Sequence, residues 1–151
     1  MLTAPQTDLV AHFEQLLPTG RAQAGQVLPR VVGPYAGQLL HMDALAAAVP
    51  ALWVDLESGT LAAETEGGDV FSSGITAELV LATVNQATPG AGYSDGLALV
   101  SWALTALLSG PVIIGGRRHR PTGPVRWTRL ASDARFWAGR ISADLELDTD
   151  L

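Results

Sequence analysis

The stretch that decides the fold is S-D-G-L-A-L-V-S-W-A-L-T-A-L-L-S-G, residues 94–110. After Asp95 no ionisable side chain appears until Arg117. Leu97, Leu99, Val100, Ala103, Leu104, Leu107 and Leu108 cover most of a helical circumference, and Ser101, Thr105 and Ser109 leave a thin polar line at helical spacing. A helix apolar on nearly every side is buried rather than laid on a surface. Ser94 is placed to cap the first free N–H groups, Asp95 suits the positive end of the helix dipole, and Gly110-Pro111 ends the run. The sequence therefore predicts a central buried helix over residues 95–109, with the other elements packed around it.

Strands flank this helix on both sides. Residues 51–57, A-L-W-V-D-L-E, alternate, with Leu52, Val54 and Leu56 on one face and Trp53, Asp55 and Glu57 on the other. Residues 75–84 follow as a second strand with Leu79 and Leu81 inward and Glu78 outward. Beyond the helix, residues 112–114 predict a short strand, and residues 125–131 and 135–147 a hairpin turning at Ser132-Asp133. In the last strand Trp137, Ile141, Ala143, Leu145 and Leu147 share one face and Arg140, Ser142, Asp144, Glu146 and Asp148 the other. Such alternation gives one buried face and one wet or partner-facing face.

The remaining segments complete the frame. Thr3-Ala4-Pro5-Gln6 reads as a capping box with proline in the first turn, and Leu9, Phe13, Leu16 and Leu17 follow as the apolar stripe of an amphipathic helix ending at Pro18-Thr19-Gly20. Residues 21–42 read as irregular with a short strand near 27–32, and residues 43–49 as two helical turns ended by Pro50. Residues 58–74, acidic and glycine-rich, read as a long loop, as do residues 86–93 and 115–124. The expected fold is one α+β domain, residues 1–151: a mainly antiparallel sheet with an N-terminal helix and the central buried helix on one face.

Composition bounds the rest. A hydrophobic fraction of 48% against 16% charged residues indicates a globular chain. There is no cysteine, which excludes disulfides and thiolate metal sites. The first residues lack a signal peptide's basic region and apolar run, so synthesis and residence in a cytosol is the default expectation. Charge is uneven. Residues 1–116 carry ten acids against two arginines, residues 117–140 seven arginines against Asp133, and residues 141–151 four acids, within a net charge of −6. There is no lysine; arginine alone suits fixed bidentate contacts, although a GC-rich genome produces the same bias.

No catalytic set emerges. Gly90-Ala91-Gly92-Tyr93-Ser94-Asp95-Gly96 lies between a strand and a helix, but its G-x-G-x-x-x-G spacing is wrong for a dinucleotide loop, and no acidic residue ends a second strand. His12, His41 and His119 have no metal-ligand spacing, and His12 falls on the polar side of the first helix. No G-x-S-x-G elbow or P-loop is present, and carboxylates at alternate strand positions are ordinarily solvated faces. Arg117, Arg118, Arg120, Arg126 and Arg129, interleaved with Trp127, Phe136 and Trp137, resemble a nucleic-acid surface. Against that, both tryptophans alternate with the inward apolar set, and a net negative domain repels phosphate. Residues 97–116 are uncharged but broken by Gly110-Pro111, leaving too short a helix for a membrane span.

Opposite charges on separate segments suit a subunit that repeats. The expectation is a head-to-tail contact of Arg117, Arg118, Arg120, Arg126 and Arg129 in one copy with Asp144, Glu146 and Asp148 in the next, closing as a ring. The acidic 58–74 segment, with Glu64, Glu66 and Asp69, supplies further partner contacts. On this view Arg126→Glu weakens assembly and Asp144→Arg partly rescues it.

The chain also resembles the small tail proteins of Mu-like phages and prophages. The likeness rests on the amphipathic N-terminal helix, on Pro34-Tyr35-Ala36-Gly37-Gln38-Leu39, and on Leu45 leading through Val49-Pro50-Ala51-Leu52-Trp53-Val54 into the first strand. The later helix and closing strand pair follow in the same order. The resemblance implies a non-enzymatic virion protein of the tail-terminator or tail-completion type, without cofactor or metal. It would cap the tail tube as a ring, typically hexameric, and meet the head–tail connector or neck protein. DNA would pass only in transit through an acidic lumen, and no membrane is involved. A head–tail adaptor is the nearest alternative, and a small nucleotide- or ligand-binding domain the alternative of another class.

Overall fold

The computed structural model describes residues 4–17, 27–40, 49–63, 70–84, 91–130 and 136–148. In chain order the elements are α1 (Ala4–Gln15), β1 (Val31–Pro34), a 3-10 turn (Gln38–Leu40), β2 (Ala51–Ala63), β3 (Val70–Val84), α2 (Ala91–Leu108), β4 (Val112–Ile114), β5 (Arg117–Arg129) and β6 (Phe136–Leu147). The expected helix end at residues 18–20, the helical turns at residues 43–48 and the turn at Ser132-Asp133 lie outside the described residues. The predicted fold class holds. The strands form one sheet in the order β1-β2-β3-β6-β5-β4, parallel only between β1 and β2.

The central helix is α2. Leu99, Val100, Ala103, Ala106 and Leu107 are buried against Leu79, Leu81, Ile141 and Trp137 of the sheet. Each fully buried leucine contributes ~2 kcal/mol of transfer free energy, so this stripe outweighs any capping term. The start differs from expectation. The helix begins at Ala91, so Ser94 and Asp95 are internal residues rather than its cap. Nor is the helix covered all round, because Leu108 is 59% exposed and Ser101, Thr105 and Ser109 lie beside it on the surface.

Both helices serve one apolar cluster, in which Leu9 and Phe13 of α1 join the inward residues of β2, β3 and β6. Leu16, expected inward, is 40% exposed because α1 has already ended at Gln15. Helix α1 packs against β1 and β2 and also against β4, which stand at opposite ends of the strand order. The sheet must therefore curl until its two ends approach the same helix. Gln6 Nε2 donates to the Val54 carbonyl at 2.7 Å, and the Gly115 N–H donates to Asp8 Oδ2 at 2.8 Å, tying α1 to both ends. Asp8→Ala should cost about 1 kcal/mol. A thermal melt should show Tm lowered by about 2–4 °C, and an unchanged Tm would mean that this tie is not formed.

Two expected loops are strands. Residues 58–63 and 70–74 belong to the β2–β3 hairpin, with register shifts at Leu56/Ser58 and Thr60/Leu61. Glycine and serine there weaken the side-chain pattern, but the ladder is built from backbone groups and survives it. The 117–124 segment is the first half of β5, and only Gly115 and Gly116, with φ of 60° and 76°, make the turn from β4. Pro121 and Pro124 fit this strand because it lies near the sheet edge and bulges between Thr122 and Arg126, where Gly123 takes φ 69°.

A smaller apolar cluster sits on the opposite face of the sheet. Trp53, expected among the wet positions with Asp55, is 2% exposed and packs with Val49, Ala51, Val80, Ala82 and Phe136. Tyr35, Leu39 and Leu130 close over it, with the Tyr35 and Trp53 rings 6.4 Å apart. The segment after β1 thus covers one corner of a face that is otherwise polar. His12, expected in solvent, is instead half-buried between the helices, its Nε2 3.0 Å from the Ala106 carbonyl.

Candidate interface between copies

The arginines expected to act together are divided by the pleat of β5. Pairing across the ladder sets Arg120 opposite Glu146 and Arg126 opposite Ser142, on the face away from the helices. Arg118 pairs with exposed Ile113 on that same face. Arg117 and Arg129 fall on the helix-bearing face, opposite buried Ile114 and Gly139. His119, expected in a loop, is fully buried within the strand, its Nδ1 3.0 Å from the Arg117 carbonyl.

The acidic positions lie beside these arginines in the same chain, on β6. Arg120 Nε stands 2.8 Å from Asp148 Oδ2. Asp144 accepts a 2.7 Å hydrogen bond from Thr76 Oγ1, and Arg140 Nη1 reaches Glu78 Oε1 at 3.4 Å. Arg126 and Asp144 line one shallow groove of about 320 Å³ with Thr76, Pro124 and Ser142. The expected contact between copies is thus already made, in part, within one copy, because a hairpin brings sequence neighbours 117–129 and 136–148 side by side. Among the described residues this face carries Asp55, Glu78, Asp144, Glu146 and Asp148 together with Arg118, Arg120, Arg126 and Arg140. It is a face of mixed charge. Glu64, Glu66 and Asp69 lie outside the described residues.

Two features were not legible in the sequence. The first is a pair of open strand edges. Strand β4 covers β5 only at residues 117–119, and β1 covers β2 only at residues 51–54. Among the described residues no strand pairs with the outer edge of β5 at 120–129 or of β2 at 55–63. The second is an apolar groove of about 540 Å³ between α2 and β5, lined by Leu97, Val100, Leu104, Leu108 and Trp127 with Ser101 and Thr105. Trp127 shares the face of Ile141, as its alternation predicts, yet is 43% exposed, and among the described residues no strand lies beyond β5 at that point. One ground for setting aside a nucleic-acid surface, that both tryptophans are inward, therefore holds for Trp137 alone.

No group of three or more histidine, aspartate or glutamate side chains among the described residues is disposed to hold a metal. The glycines considered for a nucleotide loop are partly helical, since α2 includes Gly92 and Gly96. Gly96 serves packing: its α-carbon abuts the ring of Trp137. No described helix is long and apolar enough to cross a membrane.

No protein-family model matches the chain. No curated protein matches it either. Among the solved structures that match, one aligns over 97% of this chain and 97% of its own, at 15% identity and a TM-score of 0.46. Its name states no activity, and a likeness of that degree carries no functional argument.

Proposed function

We propose that this chain is a non-enzymatic virion protein of the tail-terminator or tail-completion type, which assembles with itself into a ring, of about six copies in that family, at the end of a phage tail tube. The sequence resemblance motivates the assignment. The observation that carries the assembly is a pair of edge stretches that no strand covers among the described residues, 55–63 of β2 and 125–129 of β5, the latter beyond the part that Pro121, Pro124 and a bulge blunt. A protein that works as a monomer generally blunts or covers such edges. Two different uncovered edges favour a heterologous contact, and such a contact closes as a ring when the rotation between successive copies divides the full circle.

In this reading the ring caps the tube and offers its other side to the head–tail connector, with DNA only passing through. The mixed outer face suits protein contact better than a DNA track, since neither sign of charge dominates it. The test is to mix the purified protein with tail tubes that lack their terminal ring and image them by negative stain. A disc of extra density at one tube end is the expected result. Bare tubes at saturating protein would rule the assignment out.

A further inference from the structure

We propose that copies join along one defined seam: the β2 edge of one copy pairs with the β5 edge of the next and lies over the α2–Trp127 groove. The proposal rests on the ring reading above and names the surfaces that make it.

Three observations converge on β5. Its open edge is usable only in part, because Pro121 and Pro124 lack the N–H that a ladder needs and the chain bulges between Thr122 and Arg126. Residues 125–129 remain, a length typical of a short strand. Of their exposed side chains Trp127 lines the groove, whereas Arg126 and Thr128 stand on the opposite face of the sheet. Trp127 and Leu108, 43% and 59% exposed, are the largest apolar groups on that side, and a buried aromatic anchored among apolar neighbours is the usual centre of an interface.

The partner edge is selected by charge and by place. Strand β5 carries five arginines and no acid, whereas β2 carries Asp55 and Glu57 and no base. Two β5 edges would therefore repel, two β2 edges would repel, and the β5–β2 combination attracts. Strands β2 and β5 stand toward opposite sides of the sheet, so each copy offers one edge of each kind. The same pairing can then repeat from copy to copy around a ring.

The chain has no cysteine, which makes the test clean. Thr128→Cys on β5 and Thr60→Cys on β2 are prepared as separate proteins, with Asp55→Cys as a second β2 position, each checked for a wild-type melt. A short bismaleimide is added to each alone and to their mixture, alongside light scattering of the same samples. The seam predicts dimers in the mixture, none above background in either variant alone, and a ladder of multimers from the doubly substituted chain. Trp127→Ala should weaken association by about tenfold or more. A closed ring whose mixture cross-links no better than the single variants would overturn the seam and leave the ring standing. A monomer without cross-links, in the presence of tube ends, would overturn both.

Discussion

Gly96→Ala is expected to destabilise the protein by ~2 kcal/mol, an overpacking cost. Propensity alone predicts the opposite sign, since alanine is favoured over glycine in a helix interior by ~1 kcal/mol. The reversal comes from Trp137. A β-carbon at position 96 would overlap Cδ2 and Cε3 of its indole and lie 2.7 Å from Cε2. Trp137 is 1% exposed and has little room to swing away, because the far edge of its ring abuts Gly139 on its own strand, where an added β-carbon would lie 2.6 Å from Cη2. The indole is thus held between two glycines, one on α2 and one on β6, and this clasp sets the distance between helix and sheet. Urea unfolding of Gly96→Ala, Trp137→Phe and the double variant measures the coupling directly. Trp137→Phe should recover part of the Gly96→Ala loss. A Gly96→Ala variant as stable as wild type would mean that the indole is not seated against α2.

Phe13→Ala should cost more, ~3–5 kcal/mol. Phe13 is fully buried, edge-on to His12 at 5.4 Å between centroids, and 6.3 Å from Trp102 of α2. It joins α1 to α2 and to the sheet together, so its loss opens a cavity where the curl of the sheet is closed. For a domain of this size the loss approaches a large fraction of total stability. Thermal and denaturant unfolding should both report it; a loss under 1 kcal/mol would show that α1 is a peripheral attachment rather than the closure.

What the sequence revealed and what it hid follow from the same physics. The buried stripes of α2 and β6 were legible because apolar periodicity is a direct record of burial. Strand β5 was hidden because its single fully buried side chain in the N-terminal half is His119, which carries no apolar signal. The β2–β3 hairpin was hidden because small residues and glycines still make backbone ladders. The arginine set was misjudged for a different reason: adjacent residues on a strand point to opposite faces, so a run of arginines never lies on one side. The charge split was read correctly as a sum but not as a place, since a hairpin laid both charges in one chain. For that reason Arg126→Glu with Asp144→Arg is a weak test of assembly, because both positions line one groove of one copy. Open edges and the groove beside Trp127 are properties of strand order, which no local pattern records.

On the proposed reading the chain assembles with itself into a ring. Its most direct test is the native mass of the purified protein by light scattering, taken over a range of concentrations with and without tube ends. The account predicts a discrete species of about six copies, as such rings are built by one repeated heterologous contact. A mass that stays at one copy throughout, with tube ends present, would contradict it.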